Sequence, residues 1–206
     1  MTRADADSGF MRGHATIAIL GTIPLLVLPF LAAPEASNYR YAFAFLVPIL
    51  WGAYAGRRWI HLRAFHFALF ALALIMHNLG ALGFYRKEFL GLAFDTYVHF
   101  YFGLVGGLIL DRAFRAGLKL RGWRAWSTTL VFLLGLGAIH ELVEFASTLG
   151  LGPEMGMYKV GNSDEFDTQK DLFNNLLGGL TALCLAWSHR HIRSRRSSGH
   201  PRDPSG

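Results

Sequence analysis

Cysteine is almost absent from this chain, which carries a single thiol, Cys184, among 206 residues. One thiol excludes an intramolecular disulfide and a zinc site built on cysteines. Charged residues are also scarce, at 17%, whereas soluble domains average about 25%. A soluble domain of this size needs more polar surface than that. A disordered chain is poor in aromatic residues, but Phe alone occurs 17 times here. The composition therefore predicts an integral membrane protein.

Long apolar runs are what the chain does have. A helix needs about 20 mainly apolar residues to cross the hydrocarbon core, and six stretches meet or nearly meet this length. We predict an all-α fold, a polytopic bundle of six transmembrane helices within residues 1–192, followed by a disordered basic cytoplasmic tail over 193–206. The spans are expected at about 14–34, 40–56, 63–85, 90–111, 123–149 and 168–189. The first is too long for the apolar core of a signal peptide, so we expect it to be retained.

The basic residues predict how the bundle is oriented. Of the 20 Lys and Arg residues, 15 fall before span one, between spans two and three, between spans four and five, or after span six. Lys and Arg accumulate on the cytoplasmic face, so both termini are expected to be cytoplasmic. The formal charge of +6 is thus explained by topology, and no nucleic-acid partner is expected.

Ionisable residues inside membrane spans are costly and indicate function. In the predicted topology they gather at the extracytoplasmic ends of four spans. They are His77 in span three, Asp95 and His99 in span four, His140, Glu141 and Glu144 in span five, and Asp164, Asp167 and Asp171 at span six, where the polar but uncharged Asn175 joins them. Three of the spans carry residues of this set that are four apart and therefore share a helix face. Because lipid cannot solvate these polar edges, we expect them to face one another or a water-filled cleft.

Clustered carboxylates repel one another unless something positive intervenes. A divalent cation is one solution, and a mixture of imidazole and carboxylate ligands suits Zn, Mn or Fe. Protonated histidines or protonated acids are the alternatives. Asp164 and Asp167 also have a simpler interpretation, since acids before a helix cap its free N–H groups. The HExxH signature of metalloproteases is not met, because Glu144 stands where it needs its second histidine.

With a metal bound, we predict that His99, His140 and Glu144 are its ligands. Glu141 and Asp171 are the predicted catalytic residues, with Glu141 as general base. Asp171 also orients the ligands, as outer partners of metal sites do. The remaining polar residues are assigned a supporting role: Asp95, Asp164, Asp167, Asn175 and His77.

Three motifs carry a resemblance to a known family: Asp95-x-x-x-His99, Glu141-x-x-Glu144 and Asp171-x-x-x-Asn175-x-x-Gly178. Over roughly residues 89–189 the chain resembles the YjdF-like bacterial inner-membrane proteins. It resembles more remotely the VanZ-like proteins, although Glu144 stands where their ExxQ helix has Gln and no arginine ahead of Asp164 matches the usual arginine of their pattern. The resemblance implies a polytopic protein of a bacterial inner membrane. It implies little mechanism, since the YjdF-like group is functionally undefined and the VanZ-like group is associated with glycopeptide resistance.

The leading functional hypothesis is an enzyme of the outer leaflet. Its metal or acid/base pair would act on a lipid or a lipid-linked small substrate, because the polar cluster lies within about three helical turns of the outer surface. A proton- or ion-coupled transporter is the second hypothesis, although transport sites tend to lie near the midplane. A non-catalytic membrane partner protein is the third. Membrane lipids are the expected partners in each case.

Overall fold

The computed structural model describes residues 3–31, 43–81, 83–151 and 166–198. These residues form six α-helices and one small hairpin. The helices are α1 (Arg3–Leu31), α2 (Phe43–Gly56), α3 (Ala64–Ala81), α4 (Phe94–Ala116), α5 (Gly122–Leu151) and α6 (Asp167–Ser198). Between α3 and α4 lie a 3-10 turn, Phe84–Arg86, and two antiparallel strands, β1 (Glu88–Phe89) and β2 (Leu92–Ala93). The protein is thus all-α apart from this hairpin.

At the connection between α3 and α4 the helix bounds differ from the bounds of the predicted spans. Span three was expected to reach residue 85, but α3 ends at Ala81 and Gly83 has a φ of 102°. Span four was expected to begin at 90, but Leu90 and Gly91 have φ values of 52° and 78°. Positive φ is incompatible with a right-handed helix, so α4 begins only at Phe94.

The chain ends differ from expectation as well. Helix α1 begins at Arg3, well before the predicted residue 14. Helix α6 continues to Ser198, so residues 193–198 of the expected disordered tail are helical. Arg and Ser tolerate a helix, and the first strong breakers are Gly199 and Pro201. Residues 32–34, 40–42 and 199–206 of the predicted segments lie outside the described residues.

Helix α4 lies at the centre of the packing. It contacts α3, α5 and α6, while α1 packs against α2 and α3. The interface of α1, α2 and α3 is an apolar core that includes the buried side chains of Leu25, Leu50, Phe67 and Leu74. The predicted polar residues lie on α3, α4, α5 and α6, and α4 packs against each of the other three.

A proline in α1 creates one polar contact inside this core. Pro29 has no N–H to donate to the carbonyl of Leu25, four residues earlier. The fully buried Asn78 of α3 donates its side-chain N–H to that carbonyl at 3.4 Å. Asn78 thus replaces the hydrogen bond that the proline removes, and it ties α3 to α1 one residue after His77.

Helices α4 and α6 approach so closely that their backbones touch. A Cβ at Gly103 would collide with the backbone of Asn175, and a Cβ at Gly178 would collide with the carbonyl of Phe100. A Cβ at Gly107 would lie 2.8 Å from that of Ala182. This is the small-residue packing by which membrane helices gain van der Waals contact. It sets the distance between the polar edges of α4 and α6.

Much of the surface is apolar. On α5 the large side chains of Val131, Leu136, Leu142 and Leu149 are all exposed. Among the residues that the structure describes, two helices are long and apolar enough to cross a membrane, at Arg12–Leu31 and Gly122–Gly150. Shorter apolar helices lie at Phe45–Gly56 and Ala64–Gly80. Contiguous apolar surface of this kind marks contact with lipid or with another protein.

Candidate functional site

Four helices bring ligand-type side chains to one end of the bundle. His77 lies in the last turns of α3, and Asp95 and His99 lie in the first turns of α4. His140 and Glu144 lie in the second half of α5, and Asp171 lies in the second turn of α6. The side chains form two groups of three, within each of which the potential ligand atoms lie within 4.8 Å of one another.

The first group, here called the α4–α6 group, consists of Asp95, His99 and Asp171, and all three are buried. The Nε2 atom of His99 lies 3.6 Å from Asp95 Oδ1 and 3.5 Å from Asp171 Oδ2. Charge-assisted hydrogen bonds are shorter, at about 2.7–2.9 Å. Two carboxylates from different helices thus converge on one imidazole nitrogen at distances that leave room for an ion between them.

The second group, here called the α3–α5 group, consists of His77, His140 and Glu144. His140 Nε2 lies 3.2 Å from Glu144 Oε1, one helical turn further along α5. The rings of His77 and His140 pack edge to face with centroids 5.3 Å apart. The side chain of His140 is 37% exposed, so this group is the more open of the two.

The two groups are neighbours. The ring centroids of His99 and His140 are 6.3 Å apart. The three predicted metal ligands are therefore divided, with His99 in the α4–α6 group and His140 and Glu144 in the α3–α5 group. Asp95 and His77, which were assigned a supporting role, and Asp171, predicted to be catalytic, occupy ligand-type positions beside them. The roles themselves remain predictions.

Two further side chains contact the Nδ1 atoms of His77 and His99. The Tyr85 hydroxyl lies 2.6 Å from His77 Nδ1, and the Asn175 amide lies 3.5 Å from His99 Nδ1. A histidine that binds a metal through one nitrogen usually donates the other N–H to such a partner. The Tyr85 hydroxyl can accept the Nδ1 proton of His77, which leaves Nε2 for an ion. The Asn175 atom at His99 Nδ1 is the amide Nδ2, which donates, so in this amide orientation His99 Nε2 keeps its proton. Turning the amide over would bring its Oδ1, which is buried without a hydrogen-bond partner in the described part of the chain, to Nδ1 and would leave Nε2 for an ion.

Glu141 lies outside both groups. Its side chain is buried, and Oε2 accepts a hydrogen bond from the Thr168 hydroxyl of α6 at 3.1 Å. Its Oε1 atom is buried without a hydrogen-bond partner in the described part of the chain. An unsatisfied buried carboxylate oxygen is costly, which fits a group held ready to accept a proton. The predicted role of Glu141 as general base is consistent with this position but stays a prediction.

Tyr85 and Thr168 were not predicted to lie near these residues. Tyr85 lies in the short 3-10 turn after α3, and Thr168 lies in the first turn of α6. A single hydroxyl at such a place is not part of a helical repeat, so the spacing of residues in the sequence does not predict it. Tyr85 reaches His77 because its ring packs on Gly80, where any side chain would collide with it. Of the two acids predicted before span six, Asp167 begins α6, and Asp164 lies outside the described residues.

Comparison with known proteins places these residues in a family. Residues 14–191 match the family described as "Predicted membrane protein (DUF2238)". Over 121 residues the chain is 31% identical to the inner membrane protein YjdF of Escherichia coli (strain K12). The aligned residues make up 57% of this chain and 57% of that protein. The chain thus spans little more than half the length of the curated relative that it matches, and no solved structure matches it. The YjdF-like resemblance of the chain is confirmed, and the chain belongs to the DUF2238 family of predicted membrane proteins.

Proposed function

We propose that the protein spans a bacterial inner membrane six times with both termini in the cytoplasm, and that its extracytoplasmic end binds divalent metal ions. These ions would serve chemistry on a lipid or a lipid-linked substrate. The observation that carries the proposal is the meeting of two triads of histidine and carboxylate side chains, from four helices, at one end of the bundle. The excess of basic residues in the connections at the opposite end supports the orientation.

The composition and spacing of both groups suit a catalytic metal. Catalytic zinc sites use three protein ligands and leave a fourth position for water or substrate. Neighbouring ligands about 2.1 Å from a tetrahedral ion are about 3.4 Å apart. The distances of 3.2–3.6 Å between the imidazole and carboxylate atoms are close to this value. Mixed imidazole and carboxylate ligation suits Zn, Mn or Fe.

A bound ion would activate water or polarise the substrate. The residues of this chain would orient the ligands and accept a proton. Tyr85 would orient His77 through Nδ1, and Asn175 would orient His99 through Nδ1 once its amide oxygen faces that atom. Glu141, held by Thr168, would accept a proton. The 37% exposure of the His140 side chain supports access to the site from the lipid side of α5.

The distribution of ionisable residues favours an enzyme over a proton-coupled carrier. In α4 no Asp, Glu, His, Lys or Arg occurs between residues 100 and 110, and in α6 none occurs between 176 and 188. At 1.5 Å per residue these stretches cover about 16–20 Å of helix. Residues 67–76 of α3 and 125–139 of α5 likewise contain none of these ionisable residues. A relay of charged groups from the site towards the cytoplasm would need residues in these stretches.

Elemental analysis of the purified protein tests the proposal. We expect about two divalent ions per chain, one for each three-ligand group. His140→Ala should remove the ion of the α3–α5 group, and Asp171→Ala should remove the ion of the α4–α6 group. His189→Ala, on the exposed cytoplasmic end of α6, is the control and should keep both. Wild-type protein that contains no ion and takes up no Zn, Mn or Fe on titration would contradict the proposal, and Glu144-dependent flux into liposomes would then favour the carrier.

A change at Tyr85 tests how the α3–α5 group is oriented. Tyr85→Phe removes the hydroxyl that contacts His77 Nδ1, and loss of such an outer partner typically weakens metal binding by at least about tenfold. Chelator competition should therefore show a tenfold loss of affinity for one ion while the fold is kept. Tyr97→Phe is the matched control, since its hydroxyl donates to the carbonyl of Phe89 at 2.6 Å and not to a histidine. Equal affinities in the two variants would exclude the assigned role.

A further inference from the structure

The hairpin between α3 and α4 has an unusual residue at its tip. Leu90 and Gly91 are the two residues between strands β1 and β2, and both have positive φ, at 52° and 78°. A two-residue loop with this geometry is a type I′ turn, in which Asn, Asp or Gly is strongly preferred at both positions. Leucine at positive φ is strained. The turn thus keeps an apolar side chain at a position where a small polar residue would form it more easily.

The strained leucine does not pack against the part of the chain that the structure describes. Its side chain is 98% exposed, and those of Phe89 and Leu92 on either side are 41% and 49% exposed. The hairpin therefore presents three large apolar side chains outward. Exposed apolar groups that project together indicate contact with an apolar medium or partner.

The base of the hairpin is rigid and carries a positive charge. The rings of Phe84, Phe89 and Phe94 contact one another with centroids 5.4–6.3 Å apart. Lys87 Nζ lies 4.3 Å above the Phe84 ring. Tyr97 of α4 donates its hydroxyl proton to the carbonyl of Phe89 at 2.6 Å. An apolar tip above an aromatic base with a flanking lysine is the arrangement of a membrane-interface anchor.

The position of the hairpin between two helices of a membrane protein identifies the apolar medium as the lipid bilayer. The hairpin joins α3 directly to α4 in a chain that belongs to a family of membrane proteins. It therefore lies at the level where the apolar surface of these helices ends. A lysine at the base can pair with lipid phosphate, while the tip reaches the acyl chains. A soluble protein partner would have none of this continuity with the helix surfaces.

We propose that the hairpin inserts the side chains of Phe89, Leu90 and Leu92 into the outer leaflet of the membrane, with the bilayer itself as the occupant of this surface. The hairpin would then hold the turn that carries Tyr85, and with it the mouth of the site, at the depth of the lipid head groups. This inference goes beyond the proposed metal chemistry and does not depend on it.

Spin-label depth measurements test the insertion. In a Cys184→Ser background, Leu90→Cys and Lys119→Cys are each labelled and reconstituted into vesicles of phosphatidylethanolamine and phosphatidylglycerol. Lys119 is the matched control, since it is also exposed and also has positive φ, at 58°, in the turn between α4 and α5. We expect the ratio of oxygen to nickel-chelate collisions to be at least about fivefold higher at 90, because oxygen concentrates in the acyl region and the chelate is excluded from it. Equal, water-like ratios would overturn the proposal, as would a label at 90 that neither reagent reaches, since that would indicate a protein interface.

A second variant separates insertion from folding of the turn. Leu90→Asn relieves the strain of the type I′ turn, so the hairpin is expected to form at least as well. A label at Leu92→Cys should nevertheless become several-fold more accessible to the nickel chelate, because the polar tip leaves the bilayer. Unchanged accessibility at 92 would contradict insertion. Metal content measured on the same samples distinguishes the two proposals, since we expect it to be unaffected by Leu90→Asn.

Discussion

Gly178→Leu is expected to abolish the folded protein. A Cβ at residue 178 would overlap the carbonyl of Phe100 and lie 2.6 Å from the amide nitrogen of Leu104, so the collision is with backbone that cannot turn aside. Over-packing between flexible side chains costs about 1–3 kcal/mol. Here the two helices must separate, which places the loss of stability above about 4 kcal/mol. The monodisperse fraction in size-exclusion chromatography after detergent extraction measures the effect.

Gly135→Leu is the control for this experiment. Gly135 lies on an exposed part of α5, and nothing lies within 4 Å of a Cβ built there. This variant should behave as the wild type does. Gly178→Ala is the milder test, and it should widen the gap between His99 on α4 and Asp171 on α6 and weaken ion binding. If Gly178→Leu yields as much monodisperse protein as Gly135→Leu, the close approach of α4 and α6 is wrong.

Asp111→Asn is expected to cause the second large loss of stability, at the other end of the same helix pair. The Asp111 side chain is only 4% exposed and accepts hydrogen bonds from Arg115 Nε at 2.7 Å and from Arg190 Nη1 of α6 at 2.8 Å. Breaking a buried ion pair costs about 3–5 kcal/mol. Since Arg190 is 40% exposed and can turn to water, we expect about 2–3 kcal/mol. The apparent unfolding temperature should fall by about 5–10 °C.

A double-mutant cycle isolates the contact between the helices. Arg190→Gln removes the partner on α6, and combining it with Asp111→Asn should cost less than the sum of the two single changes. Arg193→Gln, three residues further along α6 at an exposed position, is the control and should have little effect. Additive losses for Asp111 and Arg190 would show that this ion pair does not join the helices.

These two predictions concern the contact between α4 and α6, which positions the residues of the α4–α6 group. The α4–α6 group exists because Asp95 and His99 on one helix meet Asp171 on another, and the glycine contact begins one turn below them. The α3–α5 group is built differently, since His77 and His140 belong to helices that both pack against α4. A defect in the α4–α6 contact should therefore affect the α4–α6 group first.

The sequence by itself determined the class of protein, the helices and the polar edges. Apolar content and the length of apolar runs depend only on local composition, and they predict membrane helices because lipid offers no hydrogen-bond partner to an open backbone. The four-residue spacings of Asp95 with His99 and of His140 with Glu144 depend only on the helical period, so the shared faces were predictable. The positions of the Lys and Arg residues, which predict the orientation of the bundle, are also read directly from the sequence.

Only the tertiary structure decided which of these side chains meet. Helix rotation and crossing distance are set by non-local packing such as the contact of Gly103 with Asn175, and a helical period carries no information about either. For this reason His99 was predicted with His140 and Glu144 but lies with Asp95 and Asp171. The hydroxyls of Tyr85 and Thr168 reach the site through chain reversals that have no periodic pattern, and the positive φ of Leu90 contradicts the preference of its own side chain. Such features arise only when the whole chain constrains a residue against its local tendency.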